Sequence, residues 1–178
     1  GIRDRSPSRG LGDVYKRQQL TLATSVLATD GISYTPHLLK RYINNKTKEI
    51  FNYNPEANKF ITPLDDINDL DIVRKAMWRV VNEKNVGTAS SLKKVKDIEF
   101  AGKTGTAQVY NLDAGKSDKK ILQDHALFIS YAPYELPEIV VTVIVEHGGG
   151  GSTTAAPIAR DIIDFYMNNK NKKVASNE

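Results

Sequence analysis

A lysine, two threonines and a bare glycine fall together at Lys103-Thr104-Gly105-Thr106. The string offers a cation, two hydroxyls and an unobstructed stretch of backbone. Those groups can hold the carboxylate of an extended peptide laid along a strand edge. The flanking residues Ile98, Phe100, Val109 and Tyr110 are β-branched or aromatic, which predicts a strand over 98–110. Side chains alternate across a strand, so Thr104 and Thr106 share one face and Lys103 takes the other. Gly102 and Gly105 weaken a strand interior, and close approach of a ligand to the backbone is one reason to accept that.

A Gly-Lys-Thr string also occurs in phosphate-binding P-loops, which need G-x-x-x-x-G-K-[ST] followed by a helix. With Gly102 as the second glycine, the first would fall at Asp97. The residues after Lys103 continue as strand. The P-loop reading fails on both counts. A chance match in a turn remains the bland alternative, so the surrounding elements decide.

Those elements can be read in order. Residues 19–30 predict a helix with Leu20, Ala23 and Leu27 on one stripe and Gly31 as its stop. Pro36 favours an extended path around Thr35. Residues 40–44 and 49–53 form an expected polar hairpin turning at Asn44-Asn45-Lys46. Asp65 or Asp66 caps a helix running to about Asn82, with Leu70, Val73, Met77, Val80 and Val81 on its inner face and Trp78 beside them. Gly87-Thr88-Ala89-Ser90-Ser91 is a polar turn, and Lys93, Lys94 and Lys96 make a solvated basic face. A polar loop over 111–123 leads into two strands, 126–132 and 139–146, the second an unbroken β-branched run expected to be buried on both faces. The short 133–138 connection makes them antiparallel neighbours, and 98–110 joins them in a meander. Residues 148–151 are four glycines, either a strand-to-helix turn or a second loop near the ligand. Thr154 then caps a helix to about 168, with Ala155, Ile158, Ala159, Ile162, Ile163 and Tyr166 facing inward.

Composition narrows the function classes. The chain has 178 residues, 40% hydrophobic and 26% charged, which suits one soluble domain with a real core. No apolar run approaches membrane-spanning length. Cysteine is absent, and His37, His125 and His147 lack metal-ligand spacing, so no metal or other cofactor is expected. The net charge of +4 is concentrated in residues 1–17, which carry Arg3, Arg5, Arg9, Lys16 and Arg17 against Asp4 and Asp13. A nucleic-acid partner would want that charge on the folded part. Residues 1–17 have almost no apolar periodicity and read as a non-native tail, a genuine basic tail being the alternative. Residues 18–168 form the domain and 169–178 a polar, fraying tail.

Taken with Gly102-Lys103-Thr104-Gly105-Thr106-Ala107-Gln108-Val109, the element order resembles the C-terminal part of a class B penicillin-binding protein transpeptidase domain of the elongation type. Further matching stretches are 20–31 with Tyr34-Thr35-Pro36, Val80-Val81-Asn82 leading to Gly87-Thr88-Ala89, Asp124-His125-Ala126, and Tyr131-Ala132-Pro133-Tyr134. The resemblance covers roughly residues 18–168 and implies an α+β fold, an antiparallel sheet flanked by helices as in serine β-lactamases, here incomplete. Of the family's three boxes, S-x-x-K, S-x-N and K-T-G, only the last is expected. Ser90-Ser91-Leu92-Lys93 has the first spacing but lies just before the K-T-G strand, and Ser117-Asp118-Lys119 is not S-x-N.

The resemblance implies a serine acyl-enzyme formed on a D-Ala-D-Ala stem peptide or a β-lactam, its nucleophile upstream of this chain. Lys103 would line the cleft and hold the S-x-N hydroxyl. Thr104 and Thr106 would bind the terminal carboxylate, Gly105 would keep the edge open, and the Thr106 N–H would serve the oxyanion hole. Lys103 and Thr106 are thus the candidate catalytic residues, and Thr104, Gly105 and Thr106 the candidate substrate contacts. His125 and His147 would be structural or surface groups rather than acid–base catalysts. The implied setting is the bacterial inner membrane, through an upstream anchor, with the domain facing the periplasm and partnering cell-wall elongation proteins. A penicillin-recognising sensor, a β-lactamase or a carboxypeptidase of the same fold remain alternatives, with a nucleotide-binding domain the remoter one.

Overall fold

A computed structural model describes the backbone of residues 11–59, 67–92, 95, 97–107 and 123–175. Its centre is an antiparallel sheet ordered β5-β6-β7, built from β5 (Ala101–Ala107), β6 (His125–Ala132) and β7 (Ile139–Val145). Three helices cover it: α1 (Leu11–Ala28), α2 (Ile67–Asn82) and α3 (Ala156–Ala175), the last entered through a single π-helical turn, Gly151–Ala155. Two small antiparallel ribbons lie apart, β1 (Ile32–Tyr34) with β4 (Ala57–Lys59), and β2 (Arg41–Ile43) with β3 (Ile50–Asn52). This is the expected α+β arrangement, and the meander and the polar hairpin are as the sequence predicts.

The register explains the layers. Phe128 pairs with Val143 and Ser130 with Val141, so they share one face of the sheet. That face is closed by Ala155, Ala156, Ala159, Ile163 and Met167, and by Val81, Ala89, Val95 and Phe100 around the end of α2. Phe128 and Ile163 are wholly buried there. Ser130 is buried beside them and donates to the Val141 carbonyl at 3.2 Å, so its hydroxyl is satisfied. The opposite face carries Ile129, Tyr131 and Val140 against Leu27, Ala28, Met77 and Trp78. The Thr21 hydroxyl of α1 donates across this layer to Thr142 of β7 at 2.9 Å.

Several expectations need correction. The first helix begins at Leu11 rather than at 19, so residues 11–17 of the supposed tail have helical backbone. Among its described side chains, Thr24 and Ala28 are buried, whereas Ala23 is exposed. Burial of the Thr24 hydroxyl is tolerated because it donates to the Leu20 carbonyl at 2.7 Å. Asp30 and Gly31 both take positive φ, and the Gly31 N–H closes on the Val26 carbonyl at 2.8 Å, which ends the helix as expected. On α2, Val73 is exposed although Met77 and Val81 are buried.

Strand β5 begins at Ala101 rather than 98, because Ile98 pairs back with Val95 in an isolated bridge. β7 is buried at Val141 and Val143 and half-buried elsewhere, so its burial alternates. Thr154 does not cap α3. It lies inside the π-helical turn and donates to the Gly148 carbonyl at 2.7 Å. Along α3 the inward line runs at ordinary four-residue spacing through Ala155, Ala159, Ile163 and Met167. Ile158, Ile162 and Tyr166 stay exposed. The helix also continues through 169–175, the segment expected to fray. The Asp65 and Asp66 cap, Lys93, Lys94 and Lys96, Val109, Tyr110 and Ser117-Asp118-Lys119 lie outside the described residues.

Candidate active-site edge

Among the described residues, β5 pairs with β6 on one side only. Its other edge carries the candidate residues. Lys103 and Thr106 are exposed, while Thr104 and Gly105 are half-buried. The register sets Gly102, Thr104 and Thr106 opposite Ser130, Phe128 and Ala126, and Lys103 opposite Ile129. Thr104 and Thr106 therefore share a face and Lys103 takes the other, as alternation requires. The Lys103 ammonium curls round the edge to the Thr104 carbonyl at 2.6 Å. In an antiparallel strand the N–H and C=O of one residue point the same way, repeating every second residue. The amides of Thr104 and Thr106 thus share the open side with that lysine contact.

The glycines of this strand have packing reasons of their own. A Cβ on Gly102 would lie 2.3 Å from Cζ of Phe128, so a buried ring, not a ligand, occupies that space. At Gly105 a Cβ would stand 3.2 Å from Cβ of Leu127. The first residue of the π-helical turn, Gly151, presses on the same spot. A Cβ there would meet the Leu127 carbonyl oxygen at 2.4 Å and the Gly105 oxygen at 2.5 Å. The tetraglycine 148–151 is therefore a close-packed strand-to-helix turn. It also borders the site, because Gly148, Gly149 and Gly150 line an open cavity of about 620 Å³ with Thr106, Gln123 and Asp124.

The two histidines fasten this end of the sheet. The His147 N–H donates to Nδ1 of His125 at 2.9 Å, and the two rings stand edge to face at 4.9 Å. His147 takes φ 52, and its Nδ1 lies 3.2 Å from the Gln123 carbonyl. Among the described residues, no three histidine, cysteine, aspartate or glutamate side chains are grouped to hold a metal ion. Ser90 sits in the turn after α2, its N–H bonded to the Gly87 carbonyl at 3.1 Å.

Strand β5 is held in place from α2. Asn82 donates from Nδ2 to the Trp78 carbonyl and to the Phe100 carbonyl, each at 2.9 Å. Trp78 donates from its indole to Glu99 at 2.8 Å. Sequence reasoning missed one contact at the edge itself, the 2.9 Å hydroxyl pair of Thr88 and Thr104. Thr88 was visible only as part of a polar turn, and nothing local to that turn points across 16 residues to β5.

At the far end of the sheet an ionic cluster ties α1, α2 and the β6–β7 connection. Arg74 pairs with Asp30, donates from Nη2 to the Tyr134 carbonyl at 3.2 Å, and lies 5.8 Å over the Tyr134 ring. Arg74 Nε and the Tyr131 hydroxyl are buried without a well-formed hydrogen bond, yet they stand close enough to interact. Burial pushes the Tyr131 phenol up, with the guanidinium opposing. Burial works against the Arg74 charge as well, but Tyr131 and Asp30 outweigh it and raise its pKa.

Known proteins share this arrangement. The family described as the penicillin binding protein transpeptidase domain matches residues 4–164. The peptidoglycan D,D-transpeptidase MrdA of Haemophilus influenzae is 39% identical over 166 residues, 88% of this chain and 24% of that protein. MrdA of Escherichia coli K12 is 33% identical over 160 residues, again 24% of its length. This chain spans about a quarter of these relatives. Among solved structures, PBP2 of Pseudomonas aeruginosa in complex with WCK 5153 superposes with a TM-score of 0.62 at 32% identity, covering 84% of this chain and 30% of that one. PBP2 of Helicobacter pylori in complex with MreC gives 0.62 at 28% identity, covering 89% and 25%.

Proposed function

The chain belongs to the penicillin-binding protein transpeptidase family, and on that premise we propose that it is the K-T-G-bearing part of an elongation-type peptidoglycan D,D-transpeptidase. The observation that carries the proposal is the edge of β5 that has no partner strand among the described residues, where Lys103, Thr104 and Thr106 stand. A stem peptide ending in D-Ala-D-Ala would lie along this edge as an added strand. The Thr104 and Thr106 hydroxyls would hold its terminal carboxylate. The Thr106 N–H, on the open side, would stabilise the oxyanion that forms when a serine attacks the penultimate carbonyl. D-Alanine then leaves, and an amine of a second stem peptide resolves the acyl-enzyme. Lys103 would add positive potential beside the nucleophile's partner hydroxyl.

The serine would come from a part of the complete protein that precedes this segment. The same preceding part would anchor the protein in the bacterial inner membrane with this domain in the periplasm. No described helix is itself long and apolar enough to cross a membrane. The MreC complex of the Helicobacter pylori relative supports a place among cell-wall elongation proteins.

Labelling with a fluorescent penicillin and a denaturing gel tests the proposal. The complete protein should give a covalent band and residues 1–178 alone should give none. Lys103→Ala or Thr104→Val in the complete protein should weaken it. A stoichiometric band on residues 1–178 would overturn the proposal and make Ser90 the nucleophile to examine.

A further inference from the structure

We propose that Thr88 is a positioning residue for this site: its hydroxyl donates to the Thr104 hydroxyl and so turns the Thr104 proton toward the substrate carboxylate. The inference rests on the role given above to Thr104. The two oxygens are 2.9 Å apart, and either can be the donor in the free protein. A hydroxyl has one proton to give and two lone pairs to accept with, while a carboxylate only accepts. Once Thr104 donates to the substrate, the contact with Thr88 can persist in one sense only, with Thr88 as donor. A hydroxyl already accepting a hydrogen bond is also polarised toward donating its own proton.

The geometry holds Thr88 rigidly enough to do this. Its loop folds back on the end of α2, with the Gly87 N–H on the Glu83 carbonyl and the Ala89 N–H on the Val80 carbonyl, both at 2.9 Å. Ala89 is fully buried. A Cβ on Gly87 would lie 2.3 Å and 2.4 Å from the carbonyl oxygens of Val80 and Arg79, so only glycine allows this close seat. The same α2 terminus grips the entry to β5 through Asn82 and the Phe100 carbonyl. Thr88 and Thr104 are thus referenced to one scaffold. The branched Cβ of threonine limits the rotamers from which the hydroxyl can leave the pair.

The experiment is a double-mutant cycle on the complete transpeptidase, reading the second-order rate of acylation by a fluorescent penicillin that bears a free carboxylate. Thr88→Val should slow acylation by about 2- to 10-fold, the range of one hydrogen bond between neutral groups. Thr88→Ser should restore most of the rate. In a Thr104→Val background, Thr88→Val should change nothing further, because its route of action is gone. A role in loop stability alone would slow both backgrounds equally and would overturn the inference, as would an unchanged rate in Thr88→Val. If Thr104→Val alone leaves acylation unchanged, the carboxylate role of Thr104 fails and this inference falls with it. If Thr104→Val slows acylation but Thr88→Val does not, only the inference about Thr88 falls.

Discussion

Replacing Gly151 with alanine should destabilise the chain more than the same change at any other glycine of the 148–151 turn. The added Cβ would sit 2.4 Å from the Leu127 carbonyl oxygen, 2.5 Å from the Gly105 oxygen and 3.0 Å from the Gly105 nitrogen. All three are backbone atoms of paired strands, so no rotamer change relieves the overlap. Overpacking of a core costs about 1–3 kcal/mol, and a clash against backbone belongs at the upper end. At Gly102 the nearest atom is the tip of the Phe128 ring, at 2.3 Å, which can tilt at the expense of its buried packing. That change should cost about 1–2 kcal/mol. Gly149 meets nothing closer than 3.9 Å, and its φ of 75 is its only difficulty. A left-handed alanine costs about 1–2 kcal/mol. For a chain of this size each kcal/mol moves the melting temperature by about 2–4 °C. Thermal melts of the 178-residue chain should therefore show Gly151→Ala lowest, about 6–12 °C below the parent. A Gly151→Ala variant melting at or above Gly149→Ala would refute this account of the turn.

Two further outcomes follow from the scaffold. The Tyr131 phenol is raised by burial, so its neutral form stabilises the fold below the unfolded phenol pKa of about 10, and that contribution is lost as pH rises through the folded value. Urea titrations in this alkaline range should show a steeper loss of stability in the parent than in Tyr131→Phe. Asn82→Ala removes both hydrogen bonds from Nδ2 and should cost about 1–3 kcal/mol by the same titration, leaving the buried Phe100 carbonyl without its side-chain donor.

The strands that carry the site were legible because burial imposes a simple pattern on them. β6 and β7 are read within a residue of their true ends, and the order of the meander follows from one short connection. The helix faces were harder. α3 buries a single line of residues four apart, a narrower face than the one read from the apolar pattern, so Ile158 and Ile162 were assigned inward although they stay exposed, and Met167 at the end of the buried line was overlooked. α1 continues back to Leu11 through residues with little apolar periodicity, so nothing marked its start. The β1–β4 ribbon joins two three-residue strands more than twenty positions apart, too short and too distant for a pattern to reveal. At the candidate site, the residue types at 103–106 pointed to a strand, and they do lie on β5, but the reasons for Gly102 and Gly151, and the Thr88 contact, exist only in three dimensions.

The sheet has two free margins among the described residues, and they differ in kind. β5 exposes a short run broken by glycine and bearing an ammonium and hydroxyls. A strand added there would gain few apolar contacts and would depart quickly. β7 ends the sheet on the other side with seven consecutive β-branched residues, Ile139–Val145. Charge appears only beyond the strand, at Glu138 and Glu146. Such an edge has strong strand propensity and no gatekeeping charge along its length. A segment pairing with it would be held by continuous backbone bonds and adjoining apolar surface, with a residence time closer to that of a folded core than of a ligand. The same three strands thus present one margin suited to traffic and one suited to permanent closure.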